Sequence, residues 1–200
     1  MAADSFQQIM PGVLRFDDGC NVYLVVRDDR CYAIDFGSGD WLASVDELDL
    51  PPVTDVFITH HHADQVAGLA RHRSRSFTVH APHGEQQFML PARVEACRRH
   101  RRKGGWPQSF SLLDGGVRGV KYDMTAWGDL MLNGARLRFV PTPGHSPHAL
   151  SIVADVAGNQ VVFCGDAAHD DATLHEPYHL EWDHWTGVGI LAAWEGVKRL

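Results

Sequence analysis

Short apolar runs separated by turn residues dominate the first third of the chain. Asn21–Val26 (NVYLVV) leads into Asp28-Asp29, and Cys31–Ile34 (CYAI) leads into Asp35-Phe36-Gly37-Ser38-Gly39. Val53–Thr59 (VTDVFIT) follows Pro51-Pro52, and Ser76–Val79 (SFTV) is a shorter run. Runs of β-branched and aromatic residues bounded by turn formers predict strands. The pattern then changes. His83–Arg102 (HGEQQFMLPARVEACRRHRR) has helical composition, interrupted at Pro91, and ends at Gly104-Gly105. Strand patterns return at Arg136–Val140 (RLRFV), Leu150–Val156 (LSIVADV) and Val161–Cys164 (VVFC), with Gly158-Asn159 predicting a hairpin turn between the last two. From Trp185 to Leu200, Ile190, Leu191, Trp194 and Val197 recur on one face of a helix. Strands, helix, strands and helix in that order predict layered α/β packing in a single domain over residues 1–200. The chain shows no internal repeat, long linker or low-complexity segment.

Composition narrows the class without naming a function. With 44% hydrophobic and 22% charged residues, the 200-residue chain has ordinary globular usage and enough length for a substantial core. A net charge of −7 argues against nucleic-acid binding through overall charge. No apolar stretch reaches the roughly 20 residues that span a bilayer. The start, MAADSFQQIMPG, has neither a basic nor an apolar signal region. The expectation is a cytoplasmic protein without a membrane partner. Cys20, Cys31, Cys97 and Cys164 form no C-x-x-C pair, so they are expected as reduced, small core residues. The 13 histidines stand out, and their positions matter more than their number.

The informative stretch is Val56–Gly68 (VFITHHHADQVAG), where an apolar strand runs directly into metal-ligand residue types. His60 and His62 are two apart, so extended backbone sends both side chains to one face. Asp64 adds a hard oxygen donor, and a mixed nitrogen and oxygen set suits zinc or iron. A histidine-rich surface loop is the alternative. Val140–His148 (VPTPGHSPH) ends a second strand in a tight turn presenting His145, and Val161–Ala168 (VVFCGDAA) ends a third at Asp166. Each of these last two pieces alone reads as a turn; three strand ends bearing ligands read as one coordination set.

THHHADQVAG resembles the signature T-H-x-H-x-D-H-x-x-G of the metallo-β-lactamase superfamily. TPGHSP resembles its third-histidine turn, FCGDA its bridging-aspartate strand, and AIDFGSG its early I-D-x-G strand end. The resemblance runs from about Val13 to Leu200. It implies a four-layer αββα sandwich with metals at one edge. His60, His62 and His145 would hold a first metal; Asp64 and Asp166 would serve a second, with Asp166 bridging. Asp35 would steady the ligand loops, unless it is a simple turn aspartate. A metal-activated water would attack an ester, thioester, lactone or phosphodiester bond of a small-molecule substrate, with Asp64 as the catalytic residue that orients it.

The departures from the family also carry expectations. Gln65 stands where a second-site histidine is usual, so zinc is expected as one well-held ion with a second weak or absent. His148 replaces a usual glycine, either as a substrate contact or as an exposed turn histidine. Family members continue into a strand bearing a last ligand, which implies a fragment of a longer protein truncated at its C-terminus; His169, His175, His179 or His184 are the substitutes within the chain. Asp166 falls where β-lactam-cleaving members often carry cysteine or serine, which points toward the glyoxalase II-like, lactonase-like or phosphodiesterase-like groups. Arg98–Lys103 (RRHRRK), with Trp106 and Phe110, reads as a solvated helix end or as a phosphate or nucleic-acid contact. Tyr178, His179, Trp182 and Trp185 read as core cover or as a pocket wall. Two rival readings stand beside hydrolysis: a degenerate metal-binding or interaction domain, and an iron-dependent thiol oxidoreductase.

Overall fold

A computed structural model of the chain describes residues 6–72, 74–89, 122–125, 128–132, 134–168, 173 and 188–200. Two sheets pack face to face. The first has seven strands in sequence order: β1 (Phe6–Met10), β2 (Val13–Asp17), β3 (Asn21–Val26), β4 (Cys31–Ile34), β5 (Val53–Phe57), β6 (Thr78–Pro82) and β7 (Tyr122–Thr125). The pairings from β1 to β4 are antiparallel, whereas β4 to β7 pair in parallel. The second sheet is an antiparallel meander, β8 (Gly128–Leu132), β9 (Ala135–Pro141), β10 (Leu150–Val156) and β11 (Asn159–Phe163).

Period-2 alternation along the first sheet feeds two separate cores. Leu14, Phe16, Val22, Leu24, Cys31, Ala33, Val56 and Ile58 face outward onto helices. These are α1 (Trp41–Glu47), which contributes Trp41, Leu42 and Val45, the short α2 (Ala63–Val66), and α3 (His83–Met89). Their neighbours along the strands, Val25, Tyr32, Ile34 and Phe57, face inward. They meet Leu137, Phe139, Leu150, Ile152, Ala154 and Val156 of the second sheet. Full burial of each such aliphatic or aromatic side chain stabilises by about 1.5–3 kcal/mol. On the far side, α4 (Val188–Val197) lies against the turn after β9: a Cβ on Gly144 would stand 2.7 Å from the Ala193 Cα. The layers are therefore α, β, β, α, as the resemblance implies.

The predicted elements need local correction. Asn21–Val26, Cys31–Ile34 and Leu150–Val156 have the expected bounds, but β6 begins two residues later than SFTV suggests. The β10–β11 turn is Ala157-Gly158 rather than Gly158-Asn159, since Val156 pairs with Asn159 and both turn residues have positive φ (49° and 79°). β1, β2 and α1 lacked a strong enough pattern to be foreseen; α1 has only seven residues and no side-chain cap. The predicted helix over 83–102 is observed to Met89, and its remainder, with Cys97, Arg98–Lys103, Trp106 and Phe110, lies outside the described residues. Among the described residues, no helix is long and apolar enough to cross a membrane.

Candidate metal centre

The ligand-bearing segments leave strands at one end of the sandwich. His60 and His62 follow β5, with Asp64 in the first turn of α2; His145 sits in the turn after β9; Asp166 lies in a 3-10 turn, Gly165–Ala167, after β11. The two sheets are tied together here, because the Leu150 N–H at the start of β10 donates to the Thr59 carbonyl at 3.1 Å. An exposed histidine-rich loop is overturned: His60, His61 and His62 are 1%, 3% and 5% exposed.

His60, His62, His145 and Asp166 each offer one donor atom, and these atoms all lie within 4.8 Å of one another. His145 Nε2 stands 2.8 Å from His62 Nδ1 and 3.2 Å from Asp166 Oδ2, while His60 Nε2 stands 3.6 Å from Asp166 Oδ2. Zinc–nitrogen bonds of 2.0–2.1 Å at tetrahedral angles would set donors roughly 3.3 Å apart. The observed spacings straddle that value, and three imidazoles with one carboxylate match zinc's ligand chemistry. The residues fit the ion.

Charge points the same way. Burial pushes the Asp35 carboxyl up to about 8; hydrogen bonds from Thr59 oppose this, and Asp166 and Asp64 add to it. Asp64 is likewise raised by burial and by Asp166, against opposing pulls from His62 and His145. Carboxylates crowded in this way are relieved by a cation. Asp64 is not within the four-donor group; it lies alongside, where the Gln65 amide donates to its Oδ2 at 3.3 Å. Gln65 is buried, and its main-chain carbonyl accepts the Phe36 and Gly37 N–H groups. Asp64, Gln65, Asp166, Asp35, Cys20 and Cys164 all border one cleft of about 520 Å³. Cys20 and Cys164 thus edge the site, whereas Cys31 is the core residue expected.

The supports behind the histidines are specific. Asp35 accepts from Thr59, and Thr59 Oγ1 lies 2.9 Å from His60 Nδ1. With a cation at the site Asp35 is ionised and only accepts, so the Thr59 hydroxyl proton points to it and Oγ1 accepts from His60 Nδ1–H. That tautomer leaves His60 Nε2 unprotonated, with its lone pair on the side of Asp166 and suited to a metal. Asp35 is thus buried and bonded to the strand end that precedes His60. Gly165 (φ +52°) admits this close packing, since a Cβ there would meet the Thr59 side chain at 2.6 Å. Gly68, the last residue of the signature, would place a Cβ 2.1 Å from the Ser38 carbonyl oxygen.

Glu85 on α3 escaped the sequence reading. It is wholly buried and accepts the His61 N–H at 3.1 Å, the His61 ring at Nδ1, the Ser146 hydroxyl at 2.8 Å and the His148 N–H at 2.8 Å. Burial pushes its carboxyl up, but the bonds from His61, Ser146 and the His148 amide outweigh it and hold it below the usual range. No local pattern distinguishes this glutamate from a solvated one at a helix start. The His148 side chain itself is exposed, its ring lying over Gly84. His169, His175, His179, His184, Tyr178, Trp182 and Trp185 lie outside the described residues.

A cluster of this kind, set where the strands of an αββα sandwich end, defines a class: metal-site proteins of the four-layer fold. The chain belongs to the metallo-β-lactamase superfamily, whose family model matches residues 15–199. Hydroxyacylglutathione hydrolase of Xylella fastidiosa (strain M12) is 28% identical over 153 residues, covering 76% of this chain. The chain spans 46% of that relative's length. Among solved structures, a Cronobacter sakazakii metallo-β-lactamase described by its HARLDQ motif is similar with a TM-score of 0.68 at 19% identity, covering 98% of this chain and 76% of that one. BJP-1, a subclass B3 metallo-β-lactamase of Bradyrhizobium japonicum, also gives 0.68, at 17% identity and 98% and 72% coverage.

Proposed function

We propose that this chain is a metal-dependent hydrolase acting on an ester, thioester, lactone or phosphodiester bond of a small molecule. The observation that carries this reading is the meeting of His60, His62, His145 and Asp166 from three strand ends. They would hold one zinc ion, which when bound supplies the Lewis acidity that brings a water toward ionisation near neutral pH. Asp64, beside the cluster and bordering the cleft, orients the attacking water through its carboxylate and carries a proton at that group. Asp35 and Thr59 keep His60 in its ligating tautomer. Asp64 and Gln65 make a poorer second donor set, because an amide oxygen binds zinc more weakly than imidazole; one tightly held ion is expected.

The 28% likeness to hydroxyacylglutathione hydrolase makes hydroxyacylglutathione the first substrate to assay. A panel of thioesters, lactones, phosphodiesters and β-lactams, run beside metal analysis, tests the reading. The expected result is hydrolysis of one ester-type class that disappears with the metal and in His62→Ala. Full turnover by the chelated protein would overturn it.

A further inference from the structure

Glu85 joins the two ligand loops through one rigid group. Its Oε2 holds His61, which lies between His60 and His62. Its Oε1 holds Ser146, directly after His145, and the His148 N–H at the end of the same turn. The first loop leaves the seven-stranded sheet and the second leaves the four-stranded sheet; the Leu150 N–H to Thr59 carbonyl bond joins the sheets at the base of the loops, and Glu85 joins the loops further out, at His61, Ser146 and His148. Gly84 supplies an independent sign of close approach: a Cβ there would stand 2.2 Å from the His148 ring. A bare backbone at that position lets the first turn of α3 reach the turn that carries His145.

We infer that Glu85 is a positioning residue, whose carboxylate sets the separation between the His60–His62 loop and the His145 turn and thereby the strength of the metal centre. The inference rests on the metal-site reading above. Its chemistry is that of an acceptor used four times. A carboxylate accepts on both oxygens, whereas an amide of the same shape has one acceptor and one donor. In Glu85→Gln the NH2 group must face either the His61 N–H or the His148 N–H, neither of which can accept. One loop is then released, leaving a buried donor unsatisfied.

The test uses the whole chain titrated with zinc and with cobalt against a chromogenic chelator, with the cobalt spectrum recorded and melting of the metal-free proteins measured in parallel. Changes in residues behind metal ligands cost about 10–100-fold in affinity, and Glu85→Gln is expected in that range with an altered cobalt spectrum. Ser146→Ala, which removes one of the two bonds that hold the His145 turn to Glu85, should shift affinity and spectrum less, in the same direction. The double variant should lose less than the product of the two single effects, because both cut one connection. Wild-type affinity and spectrum in Glu85→Gln, with only a lower melting temperature, would make Glu85 a mere core plug and overturn the inference. If Glu85→Gln does not fold, an unchanged spectrum and affinity in Ser146→Ala overturns it equally. A wild-type chain that binds neither ion removes the metal-site reading itself, a result distinct from both.

Discussion

Thr59 gives both of its donors to Asp35, its N–H at 2.8 Å and its hydroxyl at 3.0 and 2.9 Å from the two carboxylate oxygens. The residues are 24 apart in sequence, yet parallel pairing of β4 with β5, which sets Ile34 beside Phe57, delivers them to the same sheet end. The next residue is His60, whose Nδ1 contacts the same hydroxyl. A pairing rule of the sheet thus becomes the orientation of an imidazole.

Removing the acceptor should weaken the metal centre without unfolding the chain. Asp35→Asn keeps the shape but turns one oxygen into a donor facing Thr59, and Thr59→Val keeps the shape but deletes the hydroxyl. Each should lower zinc affinity about 10–100-fold, read by competition titration. Unchanged affinity in both would show that His60 is held by something else.

Zinc should stabilise the folded chain by mass action, by about 2.7 kcal/mol at a free concentration of a hundred times Kd. Thermal melts with and without zinc measure this, and His145→Ala should erase the difference. Metal analysis of the wild type should find one tightly held ion per chain; two held with equal strength would contradict the weaker donors at Asp64 and Gln65.

Two glycines should respond for different reasons. Gly68 has a Cβ position blocked by the Ser38 backbone at 2.1–2.2 Å, so Gly68→Ala must push two loops apart. Overpacking of this kind costs about 1–3 kcal/mol, occasionally more. Gly158 has open space around it and φ of +79°, so Gly158→Ala meets only the left-handed backbone penalty, about 1–2 kcal/mol. Urea unfolding compares them, and zinc affinity should fall with the first only. Equal zinc binding in both would refute the steric argument at Gly68.

Asp55 should shape the acid limb of stability. Burial pushes its carboxyl up, but hydrogen bonds from His80 (2.8 Å) and Thr54 (2.8 Å) prevail and hold it below the ordinary 3.8. A carboxyl lowered in the folded state contributes stability above its unfolded pKa and loses it as pH falls through the folded one. Asp55→Asn should therefore destabilise at pH 6 and converge toward wild type well below pH 3.8. Urea midpoints across that range check the sign; a gap that widens on acidification would reverse it.

How far the sequence reaches is seen by setting His62 beside Glu85. The histidine announces itself, since two-residue spacing after an apolar strand aims a pair of imidazoles to one side. His145 and Asp166 announce themselves more faintly, through a glycine turn and a strand end. Glu85 carries no such mark: one glutamate in a short helix looks solvated until the two loops are seen to close over it. Likewise β1 and β2 escaped notice, because Gln7 and Gln8 are exposed and the hairpin they join is short.

The chain's own order of residues determined the alternation that sends Ile34 and Phe57 to one core and Ala33 and Val56 to the other, and the turn chemistry that ends each strand beside a ligand. Those are local properties, set by a two-residue period and by the conformational freedom of glycine. Tertiary structure alone decided that His62 and His145 stand 2.8 Å apart and that Asp35 and Glu85 are buried behind them. The reason is physical: the distance between two loops depends on how two sheets stack and what lies between them, and no stretch of either loop encodes that stacking.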